Sequence, residues 1–317
     1  MEHFSFFKAV YQKGMVGKKR KGAFSACFFL GFYLLLPVQN SLAENNLEKD
    51  PNSLQAAPVT SVEEKGNPSV QPAEPVLRGA LVKLTDFGAD DVGYLSIPDQ
   101  EPKGGVVLVP GKWGMNRGIK FLADRFSKEG YVALAVDLFN GIVPKDSSYA
   151  ADLTRFVRED SALGVISAAV RFLHESPRFH TDKVGIVGWD RGGEYTFEAA
   201  LNIKGIEAAI IYYGEVDFEK KKLFKLKVPL CYFYAEKDKS ISKEKIIHFV
   251  NRLEEEKKPL VFYSFDAQDG FADPSNSNYD PTNAEAAWHI SIDFLEKKFN
   301  APRKETGLLE KIIHGKD

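Results

Sequence analysis

Hydrophobic positions fall into short continuous runs separated by stretches in which they recur at helical spacing. Ala80–Leu84 and Gly93–Ile97 form a leading pair of strand-like runs. Gly105-Val-Val-Leu-Val109 is bounded by Gly and Pro and reads as a buried strand. From Asn116 to Glu129 the apolar positions Ile119, Leu122 and Phe126 lie on one helical face, and Gly130 stops the pattern. Tyr131–Val136 is again a strand. Leu163, Ile166, Val170 and Leu173 mark a helix expected to be capped at Asp160 and to end before Pro177. Val184, Ile186 and Val187 then form a strand that Gly188 ends, and Glu194–Leu201 reads as a helix that follows at once. Runs at Ala208–Tyr213, Leu230–Tyr234 and Leu260–Phe265 alternate with helices near Lys243–Glu255 and Asn283–Lys298. Near-continuous apolar strands alternating with helices predict an α/β fold, a mainly parallel sheet with helices on both faces.

The two ends depart from this pattern. Lys18-Lys-Arg-Lys21 precedes an uncharged apolar run, Ala23–Leu36, then Pro37 and the small-x-small sequence Ser41-Leu-Ala43. That order is a signal peptide over residues 1–43, with export to a periplasmic or secreted location. The alternative is an uncleaved N-terminal anchor, for which the run is short of the about 20 residues a span requires. Residues 44–75 are rich in Asn, Pro, Ser, Glu and Gln and are expected to be a disordered linker. The folded domain is expected over residues 76–300. A tail follows over 301–317, with a short helix near Glu305–Ile313.

Composition narrows the function. Of 317 residues 44% are apolar, enough for a sizeable core. The net charge of −2 gives no case for nucleic acid or an anionic membrane as partner, and nothing predicts stable membrane insertion after cleavage. Residues 1–43 carry +5, which leaves about −7 on the rest. Without the leader, Cys231 is the one remaining cysteine, so no internal disulfide can form. Its apolar surroundings read as a core strand.

The chemistry gathers at Lys183-Val-Gly-Ile-Val-Gly-Trp-Asp-Arg-Gly-Gly193. A strand, a sharp glycine-lined turn and a helix, with the pattern G-x-Nuc-x-G, make a nucleophile elbow. Its apex, normally Ser or Cys, is Asp190. Ligands of an open parallel sheet collect at the carboxyl ends of its strands. Two more aspartates stand there: Asp238 after the next-to-last strand and Asp269 after the last. Their order matches a triad of nucleophile, acid and His; the residue types do not.

These features resemble the dienelactone hydrolases, over nearly all of Gly93–Phe299. Val109-Pro-Gly-Lys-Trp-Gly-Met-Asn116 matches that family's oxyanion loop, and Gly130–Phe139 its "GY…PDLF" strand, with Val136 in place of the usual Pro. Gly185–Gly193 matches G-x-x-G-x-C-x-G-G, and Tyr212-Tyr-Gly214 matches its YYG. Tyr279-Asp-Pro with Ala284–Trp288 matches its closing helix. The resemblance implies an α/β-hydrolase fold, hydrolysis of small carboxylic esters or lactones, a small-molecule substrate or ligand, and no cofactor. The family's Cys falls on Asp190, its acid on Asp238, its His on Asp269, and its oxyanion-loop Glu on Gly111. The backbone N–H groups of Lys112 and Arg191 take the oxyanion-hole positions, and Trp113, Trp189 and Phe271 are expected to line the pocket.

An Asp nucleophile still needs a base to clear the ester it forms. None of the six histidines (His3, His174, His180, His248, His289, His314) stands at the expected place. Three carboxylates near one point must raise a pKa or recruit a cation. Lys112, Arg191 and Lys237 are candidates, as is a hard metal ion. The readings are therefore a hydrolase of esters or lactones, a catalytically silent hydrolase-fold binding module, or a carboxylate-lined cation site.

Overall fold

The strands lie in the order β1-β2-β4-β3-β5-β6-β7-β8 within one sheet, seen in a computed structural model that describes residues 76–179, 181–216 and 223–301. They are β1 (Ala80–Lys83), β2 (Val92–Ser96), β3 (Gly104–Val109), β4 (Tyr131–Val136), β5 (Val184–Trp189), β6 (Ile206–Tyr212), β7 (Leu230–Ala235) and β8 (Leu260–Phe265). β1–β2 and β2–β4 pair antiparallel, and every pair from β4 across to β8 is parallel. Each residue of β3, β4, β5 and β7 is buried. Strands covered on both faces have no polar side to alternate with, which is why they read as unbroken apolar runs. β8 is the far edge, and its Val261 is exposed.

The helices are α1 (Arg117–Lys128), α2 (Ser147–Phe156), α3 (Glu159–Glu175), α4 (Arg191–Asn202), α5 (Lys243–Glu255) and α6 (Pro281–Phe299). α3, α4 and α5 send Ile166, Phe197 and Phe249 into the core on one face of the sheet. α1 and α6 send Leu122, Trp288 and Leu295 into the core on the other.

The helix starts differ from the sequence pattern. α3 begins at Glu159 after an N-cap at Arg158, so Asp160 lies in its first turn rather than at the cap. There it pairs with Arg158 at 2.8 Å and suits the positive end of the helix dipole. α4 begins at Arg191, three residues before the expected Glu194, because the turn consumes only Asp190. α6 begins at Pro281, capped by Asp280, which accepts from the N–H groups of Thr282 and Asn283. α2 and a 3-10 turn at Thr85–Phe87 were not expected; α2 carries Ala150, Leu153 and Phe156 at helical spacing but buries only Ala150.

The signal-peptide and linker segments, the tail from residue 302 and the expected Glu305–Ile313 helix lie outside the described residues, as do His3, His180 and His314. Among the described residues no helix is long and apolar enough to cross a membrane. Cys231 is free and buried in β7, where burial pushes its thiol pKa up.

Candidate active site at the strand–helix elbow

β5 ends at Trp189 and α4 begins at Arg191, so the chain reverses through Asp190 alone. Asp190 has φ 51° and ψ −124°, a conformation that costs free energy for a residue with a Cβ. Its N–H donates to the Tyr212 carbonyl at 3.0 Å, and its carbonyl accepts from the Gly193 N–H at 2.9 Å. The flanking glycines allow the close approach. A Cβ on Gly192 would collide with the Val109 carbonyl, and one on Gly188 would collide with Gly192. β3 pairs Val109 with Gly188, so the segment leaving β3 runs straight past the apex.

That juxtaposition puts Lys112 on Asp190. The Lys112 N–H donates to Asp190 Oδ2 at 3.2 Å. Lys112 Nζ lies 4.0 Å from Asp190 Oδ2 and 3.5 Å from Asp269 Oδ2. One ammonium therefore bridges two of the three carboxylates. Burial pushes the Asp190 pKa up. The Lys112 charge and N–H pull it down, and the charges of Asp269 and Asp238 push it up again; the net direction is upward.

Asp238 is not on the cavity wall with the other two. It is buried beside them, and its Oδ1 accepts from the Ser240 N–H at 2.7 Å and hydroxyl at 2.6 Å. Its Oδ2 has no hydrogen-bond partner. Arg191 turns away into an ion pair with Glu194 and lies over the Tyr195 ring at 5.1 Å. Lys237 pairs with Asp266 at 2.9 Å. Of the three cations adjacent to the strand ends, Lys112 is the one that neutralises the apex. Among the described residues no group of three or more His, Cys, Asp or Glu is arranged to hold a metal ion.

The cavity at the apex holds about 20 Å³, and its wall includes Gly111, Lys112, Trp113, Trp189, Asp190 and Asp269. That is room for about one water. A Cβ at Gly111 would lie 2.8 Å from the Asp190 Cβ and 3.1 Å from its Oδ2. A larger residue at 111 and the Asp190 side chain thus compete for one space. Phe271, expected on the wall, is instead core: fully buried, with its ring 5.3 Å from both Tyr213 and Phe265.

Three further wall residues were not expected in the site. Tyr213 has φ 40° and a buried side chain. Asn116 caps α1, accepting from the Ile119 N–H, and donates to Ser275 Oγ at 2.9 Å. Asp273 accepts from the Ser275 N–H at 2.8 Å, and Gly118 gives it room, since a Cβ there would collide with its carboxylate. Tyr213 and Asn116 stood in matched motifs, Tyr212-Tyr-Gly214 and Val109–Asn116, without a role in the site; Asp273 stood in none. No described His reaches this wall. His174 bonds the Thr181 and Gly205 carbonyls, and His289 pairs with Glu285 at 3.2 Å.

Residues 92–299 match the model of the dienelactone hydrolase family. The chain belongs to the dienelactone hydrolase family. Its relatives include Protein usf of Aquifex pyrophilus, 26% identical over 228 residues that span 69% of this chain and 98% of that protein. Another is a carboxymethylenebutenolidase homolog of Xenopus tropicalis, 26% identical over 222 residues, 65% of this chain and 87% of that one. The dienelactone hydrolase of Anabaena variabilis has the same fold, with a TM-score of 0.55 at 19% identity over 70% of this chain and 98% of that one. Membership places the chain among hydrolases of lactones and esters. At its own elbow the apex position holds a carboxylate, Asp190.

Proposed function

We propose that this dienelactone hydrolase-family protein retains the scaffold for small carboxylic esters or lactones but is catalytically silent towards them, acting as a hydrolase-fold binding module. The carrying observation is the Asp190–Lys112–Asp269 bridge. Asp190 offers no thiol or hydroxyl to attack an ester. The Lys112 N–H, an oxyanion-hole donor by resemblance, is engaged by Asp190 Oδ2. A developing oxyanion would have to displace that carboxylate before it gained stabilisation there. Carboxylate attack on an ester carbonyl would give a mixed anhydride and release an alkoxide, the poorer leaving group of the two. A second reading, hydrolysis through Asp190 itself, draws on the φ of 51° at the apex, since backbone strain collects at functional sites. It requires a base to clear the acyl group.

An ester and lactone panel tests both readings. Wild type and Asp190→Ala are expected to be equally inactive. Asp190→Cys combined with Asp269→His is expected to gain esterase activity above both. Robust wild-type turnover lost in Asp190→Ala would overturn the silent reading in favour of the Asp190 route. A folded double variant without activity would show that the small cavity, with Gly111 and Lys112, has closed the site to substrate as well.

The basic and apolar runs of residues 18–36, followed by Ser41-Leu-Ala43, support export with removal of the leader.

A further inference from the structure

A second cavity, of about 520 Å³, lies away from the elbow and shares no wall residue with it. It opens beyond the end of β4, between the 88–91 loop, the 138–142 loop, the end of α2 and the first half of α3. This volume is the size of a small-molecule site, whereas the elbow cavity is not. Leu138, Phe139, Leu153, Val157 and Val165 give it an apolar body. Phe156, 83% exposed, and Ile142, 40% exposed, leave apolar surface uncovered beside it.

Its polar groups are few and unused. Asp91, Asn140 and Ser161 line the cavity. Among the described residues the Asp91 carboxylate, the Asn140 amide and the Ser161 hydroxyl engage in no hydrogen bond or ion pair, in contrast to the cations around them. Arg158 is tied to Asp160 through Nε at 3.0 Å and Nη2 at 2.8 Å. Arg171, close to Gly88, pairs with Glu175 at 3.1 Å. The uncompensated charge is negative: burial and the charges of Asp137 and Asp90 push the Asp91 pKa up. On α3, a Cβ at Gly164 would meet nothing within 4 Å, so the helix leaves space where a side chain would stand.

We propose that this cavity binds a small amphipathic amine, its apolar body among Leu138, Phe139 and Val157 and its ammonium on Asp91, with Asn140 and Ser161 as further hydrogen-bond partners. The site needs nothing from the elbow and stands whatever the elbow does with esters.

Calorimetric titration of the full chain at pH 7 with 2-phenylethylamine, 2-phenylethanol and 3-phenylpropanoate tests it. The amine is expected to bind at least about tenfold more tightly than the alcohol, as a charge-assisted hydrogen bond provides, with the carboxylate weakest. Asp91→Asn is expected to remove the amine's advantage and leave the alcohol unchanged. Gly164→Leu, which fills the space, is expected to weaken amine and alcohol alike without lowering the melting temperature. Gly164→Ala controls for the change in helix backbone and is expected to bind as wild type does. Absence of amine binding overturns the proposal. So does an amine affinity unchanged in Asp91→Asn or in Gly164→Leu. A preference for the carboxylate probe would assign the cavity to Arg158 and overturn it too.

Discussion

At Asp190 two effects oppose each other. Burial disfavours the charged carboxylate, Lys112 favours it, and burial wins, because the pKa is raised from 3.8. The folded state therefore holds this proton more tightly than the unfolded state does. Below pH 3.8 both states are protonated, and the site costs nothing through its charge. As pH rises from 3.8 towards the folded pKa, the unfolded state ionises first and stability falls. Above the folded pKa the full penalty persists. Asp190→Asn is accordingly expected to be more stable than wild type at neutral pH, with the difference vanishing in acid. The side chain is 34% exposed, so solvent screening keeps the effect modest. A gain of about 2–4 °C in Tm, equivalent to about 1 kcal/mol in a domain of this size, is expected. Thermal melts of both proteins across pH 3–8 (roughly the range in which carboxylates and their shifted forms titrate) decide it. An Asp190→Asn variant less stable than wild type at neutral pH would mean that the Lys112 bridge outweighs burial. The same crowding makes Gly111 and Asp190 a matched pair, since a side chain at 111 meets the Asp190 carboxylate.

Among the elements, the helices whose apolar face enters the core were legible, and α2, whose apolar face stays largely exposed, was not. α1 and α5 follow their stripes and end within a residue or two of the expected limits. α2 offers a short apolar stripe, Ala150, Leu153 and Phe156, and Asp146 as N-cap, accepting from the Tyr149 N–H. A cap alone is weak, because the same hydrogen bond serves an isolated turn. α3 holds a glycine in its interior, Gly164, whose added Cβ would meet nothing. Gly164→Ala is expected to stabilise the protein by about 1 kcal/mol through helix propensity, a rise of about 2–4 °C in Tm. Gly192→Ala, in α4, is the contrast: its Cβ collides with the Val109 carbonyl and would push the elbow open. Equal melting behaviour of the two variants would contradict this account of the elbow.

Across the whole molecule, parallel pairing from β4 to β8 sends six adjacent strands' carboxyl ends to one side, where the 111–116, 189–191 and 269–276 segments meet. The sheet thus assembles the site from parts of the chain that share no local signal. For the exported form we expect a chain that begins near Glu44, following cleavage after Ala43. Intact-mass spectrometry of protein recovered from its native host checks this, and a mass that still includes Met1 would favour the uncleaved anchor.

The sequence by itself determined the strands, the elbow and the order of its three aspartates. These are properties of neighbouring residues: a buried strand needs a continuous apolar run, and a one-residue reversal needs glycines beside it. Only the tertiary structure decided that Lys112, 78 residues from Asp190, is the cation at the apex, that Asp238 and Phe271 stand behind the wall, and that the roomier cavity lies beyond β4. Charge neutralisation and cavity volume depend on side chains brought together from separate loops, and distances between loops are set by the packing of the whole sheet and its helices rather than by any one stretch of chain.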